Sequence, residues 1–454
     1  MFRTVPSFGW IAVGALMLLS ILTPGRAEGT WPVPVAQAVV RAGGNRAEIE
    51  AALETVPPAQ LEGMEFLVAN MPDGDLRTLS SAFLLRGVAL AYQAWIAAPW
   101  KGQVTKPLFL NDVLPYACLS EPRDGSKEAL QEKAAPLVAG CRTPGEAAQR
   151  LNEKLFPLLN VRYSTERQRP DQSPSESIAS GKASCSGLAI LLADACRAVG
   201  VPARVVGTPM WANGRGNHTW VEIWDGGWHF LGAAEPDAQG LDHAWFTHDA
   251  SEARPGNPLH AIYATSFAQT GLSFPMVWAP DDRSVPAVDV TERYAPTTAT
   301  AAPGVTRLLV KVLDANGRRV AASVTIRTTD QAEVGHAMSR DESADLNDMA
   351  AFPVSQLRAY EVSVSGAGRQ TVQVGADAQQ VVVVSLAAPP KPLPPASSRA
   401  LKKVLADYFR APATQQAHWA FTESLDALLR KNEPAVRAAA WEAYRDAPIH
   451  ADAK

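Results

Sequence analysis

Ser177-Ile-Ala-Ser-Gly-Lys-Ala-Ser-Cys-Ser-Gly-Leu-Ala-Ile-Leu-Leu192 decides how the chain reads. Small polar residues run up to Ser184, and an apolar run follows from Leu188. The spacing predicts a loop that turns into a helix at Cys185 and ends at Gly200, a good residue just past a helix end. That helix is apolar nearly all round, which predicts a buried central element. Thirty-three residues after Cys185, His218 opens Asn217-His-Thr-Trp-Val-Glu222, whose pattern predicts a strand. A cysteine at a helix N-terminus and a histidine at the start of a neighbouring strand are the parts of a thiol nucleophile and its base. A helix start favours the thiolate and offers free backbone N–H groups to an oxyanion, that of Cys185 among them.

Working outward, Ala203–Thr208 reads as a strand, and 218–224 with 228–231 as a hairpin around Asp225-Gly226-Gly227. Such a base needs an acid to fix its ring, and the hairpin register decides which. A two-residue turn sets His218 opposite Ala233 and puts Glu235 diagonally beside it, roughly 7–8 Å away at the Cα atoms. A three-residue turn points Glu235 away. The two-residue register is favoured because it supplies an acid, with Asp237 as the alternative. Gln172 and Tyr163 lie on the segment leading to Cys185 and are candidate oxyanion donors. Glu222 and the tryptophans 220, 224 and 228 read as hairpin structure.

The chain has 454 residues, 47% apolar and 19% charged, with a net charge of −4. That predicts several folded units and gives no electrostatic footprint for nucleic acid. Of the four cysteines, Cys185 and Cys196 share a helix about 16 Å apart, too far for a disulfide. Cys118 and Cys141 are the pair a disulfide could join. His229, His243 and His248 fit no zinc spacing, so neither metal nor cofactor is expected. Asn217-His-Thr219 matches a glycosylation sequon, but it straddles the proposed base and reads as coincidence.

Residues 1–27 read as a signal peptide, with Arg3, an apolar run at 10–23 and small residues before a cleavage point after Ala27. An uncleaved anchor is the other reading, and no later segment reads as membrane-spanning. Residues 28–165 read as helical, with one helix over 76–98 and another over 143–156 closed by Pro157. Residues 166–295 read as the core, opening on a Pro- and Ser-rich loop at 166–184, and 300–388 as a β-sandwich, Ig-like or carboxypeptidase-regulatory-like. Then come a proline-rich linker at 389–397 and C-terminal helices at 398–454. The sandwich has no cysteine and only His336, so it is expected to act as a spacer or binding module.

Gly181-Lys-Ala-Ser-Cys185, Arg197-Ala-Val-Gly-Val-Pro-Ala-Arg204, His218-Thr-Trp-Val-Glu222 and Gly227-Trp228 together resemble the transglutaminase-like core, a papain-related fold. The resemblance covers about residues 175–250. It implies an α+β fold with Cys185 as nucleophile and His218 as base. It places an acid four residues after the hairpin tryptophan, where this chain has Gly232. It implies a cysteine enzyme acting on peptide or protein amides through a thioester, similar to bacterial exported multidomain proteins of this type. The fold hosts both hydrolysis and cross-linking; hydrolysis is favoured because nothing in the sequence points to a dedicated lysine tunnel, and no membrane contact is expected after signal cleavage. The alternative is a degenerate scaffold that binds peptide or surface polysaccharide.

Overall fold

In the computed structural model, which describes residues 31–295 and 304–386, the central element is the Cys185–Ala198 helix. Every residue from Ser186 to Ala198 is buried. Ser184 caps the helix, its hydroxyl accepting from the Gly187 N–H. Past the far end, Gly200 takes φ of +79°, a left-handed turn that leaves no room for a side chain beside the Ala94 carbonyl. The helix packs against the helices Ser81–Ala97, Lys127–Leu137, Pro144–Leu159 and Pro174–Ser180 and against the strands Ala203–Thr208 and His218–Trp224. An apolar surface on all sides needs such a complete jacket.

The strands belong to a six-stranded antiparallel sheet. Its order is Trp228–Leu231, His218–Trp224, Ala203–Thr208, Tyr263–Thr265, Pro286–Asp289, Leu272–Ser273. Glu222 anchors it from a fully buried position, accepting from Arg204 Nε at 2.8 Å, Tyr294 Oη at 2.8 Å and Arg293.

A second unit follows. A four-stranded sheet (Glu333–Met338, Ser323–Thr328, Ala359–Val364, Gly368–Gln373) faces a three-stranded one (Ala350–Ser355, Val305–Leu313, Gln379–Ser385) across a core that includes Leu308, Val310, Ile326, Phe352 and Val362. The fold is α+β. Among the described residues, no helix is long and apolar enough to cross a membrane. The segments read as signal peptide, linker and C-terminal helices lie outside the described residues.

Four local expectations are corrected. The helix expected over 76–98 is two, Asp73–Leu76 and Ser81–Ala97, because the Ser80 hydroxyl accepts from Phe83 N–H and starts a new helix. Pro157 does not end its helix, which runs to Leu159; its ring faces solvent, and Asn160 ends the helix at φ 53°. The 166–184 loop contains the Pro174–Ser180 helix, started by a reciprocal Ser173–Glu176 capping box. The hairpin has a three-residue turn: Trp224 pairs with Trp228 and Val221 with Leu231. The favoured two-residue register is therefore wrong, and Glu235 lies beyond the strand, which ends at Leu231, rather than diagonally across from His218 on it.

Glu222→Ala would leave Arg204 as a buried, unpaired charge. We expect a loss of about 3–5 kcal/mol of stability, read as a shift in the urea midpoint. A change under about 1 kcal/mol would show that Arg204 finds another partner.

Candidate active site

Cys185 is the one half-exposed residue of its helix, at the first helical position. Its own N–H therefore has no acceptor one turn back. Two serines set its place. Ser184 caps the helix and also donates to the Pro170 carbonyl. Ser186 Oγ lies 3.0 Å from Thr219 Oγ1, which ties the first helical turn to the strand bearing His218. Gly187 lets the helix start close in, since a Cβ there would meet Ala183 at 3.1 Å.

His218 is 2% exposed. Its ring sits among Trp245 at 4.8 Å, Phe246 at 4.9 Å, Trp220 at 5.8 Å and Trp211 at 5.9 Å between centroids. Neither ring nitrogen makes a well-aligned hydrogen bond among the described residues. The nearest charge to Nδ1 is Asp345 Oδ2 at 3.5 Å, and Asp345 comes from the second unit. Burial opposes charging of His218, but Asp345 and Cys185 outweigh it and hold the imidazole well above its ordinary value. Asp345 is itself buried, which disfavours its charge; His218 and the Asn347 N–H outweigh that and hold its carboxyl below the usual value.

Asp345 arrives on a braced loop. Its Oδ1 accepts from Asn347 N–H at 2.8 Å. The buried Arg319 guanidinium donates to the Asp345 carbonyl at 2.7 Å, to that of Asp348 at 3.3 Å and to that of Ala344. Across the interface, Arg215 Nη1 donates to the Asn347 carbonyl at 2.8 Å and Asn347 Nδ2 to the Asn217 carbonyl at 3.4 Å. The loop is thus fixed beside the residue that precedes His218.

The arrangement is a triangle rather than a line. One ligating atom each from Cys185, His218 and Asp345 lies within 4.8 Å of the other two. An acid orienting the far nitrogen of a ring would stand roughly 7–8 Å from the sulfur, two hydrogen-bond spans plus the ring width. Asp345 therefore shares the thiol side of the imidazole.

The structure places the other sequence candidates as follows. Glu235 lies in a tight turn bridged to Gly232, which Asn152 clamps at the Gly232 carbonyl and the Ala234 N–H, both 2.8 Å. Its Oε2 accepts from Trp245 Nε1 at 2.9 Å, with no hydrogen bond to His218. Desolvation, against the pull of His218 and with Asp345 and Asp348 adding to it, pushes its carboxyl up to about 8. Asp237 is exposed and accepts from Gln239 N–H in its own loop. Gln172 donates both amide protons, to Ser180 Oγ and the Lys182 carbonyl, each at 3.1 Å. None remains for an oxyanion, which corrects that expectation. Tyr163 is buried near Cys185 and Asp345; burial and then those two groups hold its phenol well above its ordinary value, so it stays neutral. All four cysteines are free. Sequence reasoning missed Asp345: nothing in Ala344-Asp-Leu-Asn-Asp348 marks it out from a solvated polar loop.

Residues 131–233 match the family model of the transglutaminase-like superfamily. The match spans both Cys185 and His218 and begins within the region read as N-terminal helices. A solved structure from Cytophaga hutchinsonii, described as a candidate cysteine protease, is similar at 21% identity with a TM-score of 0.22. The similarity covers 25% of this chain and 40% of that one, so this chain spans less than half of its length. No curated protein matches.

Asp345→Asn keeps the shape and removes the charge. Burial then acts on His218 without its main opponent, so the imidazole pKa should fall, as followed by NMR titration of the ring protons. An unchanged titration would show that Asp345 does not set the charge of His218.

Proposed function

We propose that the chain is an exported cysteine enzyme that cleaves peptide amide bonds through a thioester on Cys185. One observation carries the reading: a half-exposed thiol at a helix start stands against a buried imidazole that is held charged at neutral pH. The match of residues 131–233 to the transglutaminase-like superfamily supports it. The sequence from Arg3 to Ala27 supports export.

The Cys185 sulfur attacks the carbonyl carbon, and the carbonyl electrons move onto oxygen, where the Cys185 N–H faces them. The C–N bond breaks as His218 gives its proton to the leaving nitrogen. Water then adds to the thioester, His218 takes a proton from it, and the C–S bond breaks to release the acid and restore the thiolate beside protonated His218. An amine in place of water would give a cross-link by the same steps. Hydrolysis is the better reading because the sequence offers no dedicated channel for a lysine acceptor. Asp345 holds His218 charged. Glu235, its carboxyl pushed up to about 8, accepts from the Trp245 indole instead.

The test is a peptide pool digested in 18O-labelled water and read by mass spectrometry. Native protein should create new carboxyl ends carrying the label. Cys185→Ala should lose at least about a thousandfold of that activity. His218→Ala should slow iodoacetamide labelling of Cys185 near pH 6 by about tenfold or more. Activity surviving in Cys185→Ala would sink the proposal; amine adducts without labelled acids would move it to cross-linking.

A further inference from the structure

The triangle that makes a poor relay makes a good ligand set. Cys185 offers a sulfur, His218 a ring nitrogen and Asp345 a carboxylate oxygen, mutually within 4.8 Å. Zinc takes such ligands at about 2.0–2.3 Å, which sets neighbouring ligand atoms roughly 3.3–3.8 Å apart. The three atoms need to close by only about an ångström to meet that spacing.

A second observation points the same way. His218 is almost wholly buried, yet neither ring nitrogen makes a well-aligned hydrogen bond among the described residues, and Nδ1 has only the Asp345 carboxylate at 3.5 Å. Buried polar atoms of that kind call for a partner, and a metal ion is one. The charges fit as well: a thiolate and a carboxylate balance a dication, and the imidazole becomes the third donor once the ion displaces the proton that His218 otherwise holds. Sulfur, imidazole and carboxylate together suit zinc and disfavour magnesium or calcium. The ligands are also braced in advance, Cys185 by Ser184 and Ser186, Asp345 by Arg319 and Asn347. The half-exposed side of Cys185 leaves a way in.

The other cysteine–carboxylate cluster, Cys118, Glu121 and Asp194, lacks these properties. Glu121 accepts from two backbone N–H groups and pairs with Arg123, and Asp194 pairs with Arg197. Its negative charge is already matched by protein cations.

We propose that Cys185, His218 and Asp345 form a site for zinc, or a cation of its class, that reversibly silences the thiol. Two ligands come from the transglutaminase-like domain and the third from the β-sandwich. The ion therefore blocks the nucleophile and fastens the two units together. This goes beyond the reading of the thiol as a peptidase nucleophile, and its test needs no substrate.

The full chain, stripped with EDTA, is titrated with zinc against a chromophoric chelator. Iodoacetamide labelling of Cys185 is followed in parallel by peptide mapping. One equivalent of zinc should bind, slow labelling of Cys185 by at least about tenfold and be reversed by EDTA, while magnesium does nothing. Asp345→Asn and Asp345→Ala should each weaken zinc by at least about tenfold and leave Cys185 open to labelling in the presence of zinc. A thermal melt confirms that each variant is folded, and Asp345→Asn serves if Asp345→Ala is not. The proposal is overturned if no zinc binds, if zinc binds without protecting Cys185, or if protection persists in a folded Asp345 variant. None of these results bears on whether the metal-free protein cleaves peptides.

Discussion

The complete burial of the Cys185–Ala198 helix is the constraint on which the rest of the structure depends. From Ser186 onward it has no solvent face. Helices must cover one part of it and strands the other, and the chain must leave both ends sharply. Its C-terminal end is closed by Gly200 and by Arg197, which donates to the carbonyls of Ala203 and Ala117 at 2.9 and 2.7 Å. Only the N-terminal end opens, and there the first residue is the thiol. Position on the helix, rather than any local feature of the cysteine, separates Cys185 from buried Cys196 eleven residues on. The Cys196 thiol is pushed up to about 12 by desolvation, which makes it inert near neutral pH.

The same burial controls His218. An imidazole boxed by four aromatic rings would ordinarily stay neutral. It is charged here because one carboxylate, Asp345, stands 3.5 Å away while the other, Glu235, is spent on an indole. The two acids have opposite fates in one pocket. Asp345, charge-paired and bonded to Asn347, is held ionised. Glu235, desolvated and near Asp345 and Asp348, stays protonated at neutral pH. Environments that drive two carboxyls apart in this way are how a single site holds an acid and an anion together.

What the sequence made legible is what local periodicity controls. The Cys185 helix announced itself through an apolar run with a serine before it and a glycine after it. The His218 strand did so through alternation, and both lie next to each other in the structure. The hairpin register was not legible, because Asp225-Gly-Gly227 allows a turn of two or three residues and a slip of one reverses every partner. Wanting an acid beside His218 led to the wrong choice. Pro157 misled because a proline in a last turn with its ring in solvent sacrifices little. Asp345 was beyond reach for a different reason. It lies 127 residues from His218 in another sheet system, and only the docking of the two units brings it to the ring.

That docking makes the charge of His218 a property of the whole molecule. Arg319 holds the Asp345 loop by its carbonyls, so the loop moves with the β-sandwich as one piece. The interface that seats it is itself charged: Asp249, buried in the first unit, pairs with Arg215 beside the loop and with Arg307 of the sandwich. If the sandwich lifts away, the ring loses Asp345, which lowers its pKa, and gains water, which raises it from its desolvated value. Both changes return it toward an ordinary histidine that is mostly neutral at pH 7. In the docked form the ring is an imidazolium beside the thiol, already holding the proton a leaving amine requires. The second unit therefore belongs to the site electrostatically.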